Sequence, residues 1–244
     1  MPVELKSYKN WPPNVISANR NFAVEALDVI VNIVGQGIYP YQCDMGKPKE
    51  IEEMFKWIET NKDLGKLDIC INNAACVWAK GLMEMNLEEM QAMLNVNVLG
   101  YNYATKLSIQ SMMKHNVDDG QIIYVSSVLA HTIVPNPKIA YYSATKHALN
   151  CLLDGWRHEL NSLGKSIRIG QISPGYIKTA AVEAQSGKEA SDAFYGANPH
   201  LKCEDVVDGI LHMLQTKPHI QTQDIVLRHI CEDGKFDGGN SNFI

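Results

Sequence analysis

A serine, a tyrosine and a lysine have the spacing that acid–base chemistry would need. Tyr142 and Lys146 are four residues apart in a helical pattern, which puts both side chains on one face of the helix and lets an ammonium sit beside a phenol. Ser127 ends an apolar strand pattern that comes shortly before this helix. If the serine faces the other two residues, the three together predict a proton-transfer site.

A tyrosine needs a nearby positive charge to act as a base around pH 7.5. Its pKa of about 10 must fall by roughly 2.5 units, which corresponds to about 3.4 kcal/mol. One charge at about 4 Å, in a medium of dielectric constant about 20, contributes roughly 4 kcal/mol, so Lys146 can supply an effect of this size. The alternative is that Tyr142 and Lys146 form an ordinary exposed pair and that Ser126 and Ser127 cap a turn or a helix.

Strand patterns and helix patterns alternate along the chain and position these residues. Short runs of β-branched and aromatic residues are typical of buried parallel strands, and the amphipathic runs between them indicate helices. The predicted strands cover residues 14–18, 38–42, 67–71, 121–125, 166–172 and 224–228. The predicted helices cover residues 49–61, 86–114, 139–163 and 204–215. This alternation predicts an α/β fold with a doubly wound, Rossmann-like parallel sheet, which binds ligands at the carboxyl ends of its strands.

Length, composition and charge restrict the class of protein. With 244 residues, 45% of them hydrophobic, the chain fits one domain over residues 1–244, with an atypical N-terminus at 1–13 and a tail at 232–244. A net charge of −5 gives no general attraction to nucleic acid or to anionic membranes. No apolar run reaches the roughly 20 residues that span a bilayer, and no secretory signal is present, so we expect a cytoplasmic protein. The six cysteines have no metal-ligand spacing, so we expect them to be reduced and expect no metal site.

Further motifs accompany the serine, tyrosine and lysine. Asn72-Asn-Ala-Ala75 follows one predicted strand, Pro174-Gly175 follows another, and Asn97 lies within Asn95-Val-Asn-Val98. In this order and on these elements, the motifs resemble those of the short-chain dehydrogenase/reductase family, over about residues 15 to 230. Residues 116–123, 142–149 and 218–225 look most like the branch of farnesol dehydrogenase-like and dehydrogenase/reductase family member 11-like proteins, which includes broad-specificity ketosteroid reductases.

The resemblance implies an NADP-dependent oxidoreductase that interconverts a lipophilic alcohol and its carbonyl compound, farnesol-like or steroid-like. In the family, Ser127 would hold the substrate oxygen and Tyr142 would exchange the proton. Lys146 would also bind the nicotinamide ribose, and Asn97 would fix a water in the proton path. The implied partner is a small lipophilic alcohol or ketone, and the predicted helix 139–163 resembles the element through which the family forms homodimers and homotetramers.

The resemblance also implies contacts with the cofactor. Arg20 stands where an acidic residue would bind the ribose of NAD, which favours NADP, although it could be a solvated surface charge. Asp44 falls where a family carboxylate meets the adenine amine, although an aspartate before a helix is also an ordinary N-cap. Ala75 replaces the usual glycine, which is tolerable only if φ is negative there. The other implied cofactor-binding residues are Asn72, Ala74, Tyr142, Lys146, Pro174, Gly175, Ile177 and Thr179.

One motif of the family is not found. The family opens with a strand and a Thr-Gly-x-x-x-Gly-x-Gly turn whose amides hold the cofactor pyrophosphate, and nothing before residue 40 matches it. Gly35 and Gly37 follow a helical pattern, so they indicate a helix stop and a turn. We therefore expect the family's first strand and helix to be missing and cofactor affinity to be weaker by roughly three to four decades, or about 5 kcal/mol. The alternative function is a cofactor-impaired pseudoenzyme that binds a lipophilic ligand or a partner.

Other side chains have plainer interpretations. A lone histidine such as His131, near the expected substrate rim, is more often a polar surface residue than a catalyst. Trp78 and Tyr176 each follow a predicted strand and are evenly balanced between pocket and packing roles. Residues 180–199, rich in small residues and scattered charges, resemble the mobile substrate loop of the family.

Overall fold

The computed structural model describes residues 15–19, 38–133, 135–180, 182–183 and 187–232, and its strands alternate with helices. The strands are β1 (Val15–Asn19), β2 (Ile38–Gln42), β3 (Ile69–Asn72), β4 (Gln121–Val125), β5 (Arg168–Pro174) and β6 (Asp224–Leu227). The helices are α1 (Pro48–Thr60), α2 (Leu87–Leu94), α3 (Tyr101–Lys114), α4 (Ala140–Ser162), α5 (Lys188–Ala197) and α6 (Cys203–Gln215). The predicted α/β alternation is confirmed.

The described strands form two parallel sheets. β3, β4, β5 and β6 lie side by side in that order, and β1 pairs with β2. Because neighbouring strands run the same way, the residues that follow β3, β4 and β5 reach one edge of the larger sheet. Within the described part of the chain no ladder joins β1 or β2 to β3. The expected loss of the family's first strand and glycine-rich turn falls on residues 1–14 and 20–37, outside the described residues.

Helices cover both faces of the four-stranded sheet, as a doubly wound fold requires. Successive side chains of a strand point to opposite faces. Ile122 and Tyr124 of β4 therefore pack against α3 and α4, whereas Ile123 packs on the other face against α6. In β5, Ile169 likewise lies on the face covered by α3 and α4, and Ile172 lies on the face covered by α6. The predicted doubly wound sheet is confirmed.

Helix α1 attaches the two-stranded sheet to the rest of the molecule. Its predicted stripe is buried, against Cys43 after β2 and Ala104 of α3. The helix begins at Pro48, whose fixed φ suits the first turn. The buried stripe consists of Ile51, Met54, Phe55 and Ile58. Each such side chain contributes about 1.5–3 kcal/mol on burial, so the stripe is enough to hold α1 in place.

The predicted continuous helix over residues 86–114 is wrong in its middle. A π-helical turn, Asn95–Gly100, separates α2 from α3. At Gly100 an added Cβ would overlap the main-chain carbonyl oxygen of Met45, so the wide turn can approach the loop after β2 only because this residue is glycine. Such turns are frequent at functional sites, and this one carries Asn97.

The predicted mobile loop over residues 180–199 is also wrong in part. Residues 188–197 form helix α5, which buries Phe194 and Tyr195. Two aromatic residues one after the other on a short amphipathic run were the signal for this helix. None of the described helices combines the length and the apolar character needed to cross a membrane.

Candidate active site

Helix α4 brings Tyr142 and Lys146 together at the carboxyl end of β4. Lys146 is fully buried, and its Nζ donates a hydrogen bond to the carbonyl oxygen of Val125, 3.0 Å away. The ammonium lies 5.7 Å from the centre of the Tyr142 ring and 5.1 Å from that of Tyr101. An aromatic face attracts a cation at such distances, so two rings and one carbonyl surround the buried charge.

Burial dominates the protonation of both residues. It lowers the pKa of Lys146 to about 7, while the nearby Cys76 thiol acts weakly in the opposite direction. Burial also raises the pKa of the Tyr142 phenol well above its usual value, and Cys76 adds to that rise. Sequence spacing suggested that Lys146 would lower the pKa of Tyr142. With the protein groups alone, burial raises this pKa instead.

Ser127 lies two residues after the end of β4, in the extended conformation that caps a short helical turn. Its Oγ accepts a hydrogen bond of 3.1 Å from the Leu129 N–H, and the 3₁₀ turn Val128–Ala130 follows. Val128, Leu129 and Ile139 form a buried cluster, and Tyr142 packs against this cluster. The capping alternative is therefore present in the structure. It does not exclude a further role, because the cap uses a lone pair and leaves the hydroxyl hydrogen available.

Asn97 holds the loop after β3 against α4. Its Oδ1 accepts from the Cys76 N–H at 2.9 Å, and its Nδ2 donates to the Cys76 carbonyl at 2.9 Å and to Thr145 Oγ1 at 3.2 Å. Asn97 is fully buried, so each of these bonds satisfies a group that water cannot reach. The Asn97 amide thus clamps together the π-helical turn, the loop after β3 and helix α4.

Asn72 and the residues after it form the neighbouring part of the edge. Asn72 ends β3, is buried, and donates from Nδ2 to Thr105 Oγ1 of α3 at 3.2 Å. Ala74 and Ala75 follow in the loop. Among the described non-glycine residues only Asn116 has a positive φ, so the condition for an alanine at position 75 is met.

Asp44 shapes the turn between β2 and α1. Its Oδ1 accepts from the Gly46 N–H at 3.0 Å, and its own N–H donates to Glu50 Oε2 at 2.7 Å. The N-cap of α1 is Lys47 rather than Asp44, so the N-cap alternative for Asp44 is wrong. Arg20, the residue on which the choice of NADP depends, lies outside the described residues.

Pro174 and Gly175 end β5 beside an unexpected carboxylate. The Gly175 N–H donates to the Leu227 carbonyl at 2.8 Å. Glu232, assigned to the tail from sequence, has a side chain only 3% exposed, and one of its oxygens pairs with Arg228 at 3.0 Å. The other oxygen is buried with no hydrogen-bond partner among the described residues, and it lies so close to Gly175 that an added Cβ would overlap it. No local sequence pattern predicts the burial of Glu232, because its side chain fits there only if residue 175 has no Cβ.

Ile177 and Thr179 are held by a residue that the sequence did not single out. The Tyr195 hydroxyl donates to the Ile177 carbonyl at 2.8 Å and accepts from the Thr179 N–H at 3.1 Å. Tyr195 belongs to α5, the helix that sequence patterns missed. Helix α5 therefore positions the segment that follows Pro174 and Gly175.

His131 lies at the surface, as expected, but its ring is not free. Its Nε2 is 2.8 Å from Asp224 Oδ2 and 3.0 Å from Ser173 Oγ. Tyr176 packs against Phe194 and in the cluster that contains Tyr142, which places it beside the site. In the ranges that the structure describes, no group of three or more His, Cys, Asp or Glu side chains could hold a metal ion.

The sequence matches one protein-family model and resembles individual relatives. The family model described as short chain dehydrogenase matches residues 12–190. Dehydrogenase/reductase SDR family member 11 of Gallus gallus is 36% identical over 193 residues, 78% of this chain and 75% of that protein. Farnesol dehydrogenase of Aedes aegypti is 29% identical over 196 residues, 80% of this chain and 76% of that protein.

Solved structures share the fold. A closed form of serine dehydrogenase, complexed with NADP+, matches with a TM-score of 0.74 at 22% identity, over 88% of this chain and 84% of that chain. A short chain dehydrogenase from Burkholderia cenocepacia, in complex with NADP, matches with a TM-score of 0.73 at 22% identity, over 88% and 86%. At this level of identity the likeness shows the fold alone.

Proposed function

The chain belongs to the short-chain dehydrogenase family, and we propose that it is an NADP-dependent oxidoreductase that interconverts a lipophilic alcohol and its carbonyl compound. One observation carries the proposal. The ammonium of Lys146 lies 5.7 Å from the centre of the Tyr142 ring, and Tyr142 packs against the apolar cluster that includes the turn after Ser127. The farnesol-like or steroid-like substrate class is supported by the similarity to a farnesol dehydrogenase.

The described residues fit the nicotinamide half of such a cofactor. Lys146 uses one of its three ammonium hydrogens on Val125, and the other two are available to ribose hydroxyls. Solved relatives of the fold that carry NADP support the choice of cofactor. In this proposal the cofactor-binding residues are Arg20, Asp44, Asn72, Ala74, Tyr142, Lys146, Pro174, Gly175, Ile177 and Thr179.

Ser127 and Tyr142 handle the substrate oxygen. When bound, the cofactor would supply or accept the hydride. Ser127 donates its hydroxyl hydrogen to the substrate oxygen, because its lone pair already accepts from Leu129. In reduction Tyr142 gives its proton to the same oxygen, and the raised pKa of this phenol keeps that proton in place beforehand. In oxidation the Lys146 ammonium would offset part of the desolvation cost of the Tyr142 phenolate.

Asn97 serves the proton path in two ways. Its amide holds the Cys76 backbone and Thr145, which fixes the wall of the site. Because Asn97 is fully buried, the proton-relay water that we assign to it would be an internal water rather than bulk solvent.

Weakened cofactor binding, cytoplasmic location and self-association belong to the same proposal. Because the sequence shows no glycine-rich phosphate turn, the expected affinity for NADPH is millimolar rather than micromolar. Three exposed leucines on α2 and the π-helical turn support a homodimer or homotetramer. They are Leu87, Leu94 and Leu99. Sedimentation of a monomer at micromolar concentration would contradict the oligomer.

Cofactor binding and turnover together test the function. We expect a thermal shift with millimolar NADPH, a smaller one or none with NADH, and oxidation of NADPH in the presence of a terpenoid aldehyde such as farnesal or of a ketosteroid. Absence of a shift and of turnover, combined with retained binding of farnesol or steroid, would instead indicate the cofactor-impaired pseudoenzyme. Arg20→Glu should reverse the preference for the cofactor if Arg20 binds the 2′-phosphate.

A further inference from the structure

Five polar side chains connect β5, β6 and α4 to the turn after Ser127. We name them the Asp224 cluster: His131, Asn150, Gln171, Ser173 and Asp224. Asp224 Oδ1 accepts from Ser173 Oγ at 2.9 Å, and its Oδ2 accepts from Gln171 Nε2 at 2.8 Å. Ser173 is fully buried and Gln171 is 3% exposed, so water does not replace these bonds.

The hydrogen bonds around His131 indicate which ring nitrogen carries a hydrogen. The single hydroxyl hydrogen of Ser173 goes to Asp224, so Ser173 can only accept from the imidazole. A bare nitrogen lone pair at 2.8 Å from a carboxylate oxygen would be repelled. Nε2 of His131 therefore carries a hydrogen, which it shares between Asp224 and Ser173.

The same hydrogen bonds exclude a hydrolytic role for these residues. A serine, a histidine and an aspartate in contact could indicate a nucleophilic triad. Here the Ser173 hydroxyl is fully buried and already bonded to Asp224, so it reaches no substrate and has no base to take its proton. The cluster can therefore affect a reaction only by holding neighbouring residues in place.

Its contacts converge on the turn that presents Ser127. The main-chain N–H of His131 donates to the Val128 carbonyl at 3.0 Å and closes the 3₁₀ turn, while Asn150 Nδ2 donates to the Ala130 carbonyl at 2.7 Å. Gln171 Nε2 in turn donates to Asn150 Oδ1 at 2.7 Å. The cluster thus holds both the end of the turn and the helix that carries Tyr142.

We propose that Asp224, acting through His131, is a positioning residue that fixes the turn after Ser127 and so sets the Ser127 hydroxyl against Tyr142. This inference rests on the proposed function only for its effect on turnover. Without the carboxylate, the imidazole loses its fixed hydrogen position and the turn loses one of its two side-chain anchors. A displacement of about 1 Å in such a group lowers turnover by roughly 100-fold.

Four variants test the pair. His131→Ala and Asp224→Asn remove the two partners, whereas His131→Gln keeps an N–H donor near the position of Nε2. Asp154→Asn is the matched control, because Asp154 is an exposed carboxylate on α4 that pairs with Arg157. We expect kcat to fall about 10- to 100-fold in the first two variants, with the NADPH KM unchanged, and to recover in His131→Gln.

Amide hydrogen exchange gives a reading that does not depend on turnover. The Leu129 amide, bonded to Ser127 Oγ, and the Ala130 amide, bonded to the Ser127 carbonyl, should lose protection in His131→Ala and Asp224→Asn but not in His131→Gln or Asp154→Asn. Unchanged protection of both amides in His131→Ala would overturn the inference, whatever the activity. A wild-type protein without turnover would refute the proposed function, and the exchange result would still decide the role of the pair.

Discussion

The ammonium of Lys146 and the carbonyl oxygen of Val125 are joined by a hydrogen bond of 3.0 Å inside the protein core. The same carbonyl also accepts from the Tyr101 hydroxyl at 2.9 Å, so it does not depend on the lysine for satisfaction. A buried cation with one direct hydrogen bond is costly, because water would give it a full shell of acceptors. We therefore expect the burial of Lys146 to lower the stability of the protein.

Replacement of Lys146 by methionine should stabilise the protein and abolish turnover. Lys146→Met removes the buried charge, keeps much of the side-chain volume and leaves Val125 bonded to Tyr101. We expect the free energy of unfolding to rise by roughly 2–4 kcal/mol at pH 7 in urea titrations. A variant less stable than the wild type at pH 7 would contradict the assigned cost of burial.

The gain from Lys146→Met should depend on pH with a definite sign. The unfolded lysine titrates near 10.5 and the folded one near 7, so between these values the unfolded chain binds the extra proton and wild-type stability rises with pH. The advantage of the variant is then largest at pH 7 and below and shrinks towards zero as pH approaches 10.5. A constant difference between pH 7 and pH 9.5 would show that Lys146 is not titrating as described.

Gly100→Ala should destabilise the protein, because the added methyl group would overlap the Met45 carbonyl oxygen on a neighbouring backbone. Overpacking of this kind costs about 1–3 kcal/mol, or roughly 5 °C in Tm for a chain of this size. Gly196→Ala in α5 is the matched control, since nothing lies within 4 Å of its added Cβ. Differential scanning calorimetry should find the control unchanged or slightly more stable, and equal effects of both substitutions would count against the close approach at Gly100.

Gly175 and Glu232 should be coupled in a double-mutant cycle. Gly175→Ala alone should cost about 2 kcal/mol, because its methyl group displaces the buried carboxylate. In a Glu232→Ala background the same substitution should cost less than about 0.5 kcal/mol, since the obstructing oxygens are gone. Unfolding free energies that add without coupling would place Glu232 away from Gly175.

Patterns that repeat along the chain could be predicted from the sequence, and contacts between distant residues could not. The strands at 38–42 and 121–125 and the stripe of α1 follow from local apolar periodicity, which survives in the fold. The pairing of Tyr142 with Lys146 follows from helical spacing. Such features need only neighbouring residues.

The π-helical turn at residues 95–100 and the burial of Glu232 depend on tertiary contacts. The turn relies on the Asn97 clamp and on the space beside Met45, neither of which appears in a local pattern. The direction of the Tyr142 pKa was likewise out of reach, because spacing reveals the neighbouring charge but not the extent of desolvation. Helix α5 was missed since its small and polar residues concealed two buried aromatic residues.

Turnover by Tyr142→Phe tests the central claim most directly. The substitution removes one hydroxyl and keeps the ring that lies beside Lys146. With NADPH and a reducible farnesal-like or ketosteroid substrate, we predict that kcat/KM falls about 10²- to 10⁴-fold, while the NADPH-induced thermal shift stays the same. Turnover within a few-fold of the wild type would contradict the account and remove Tyr142 from the chemistry.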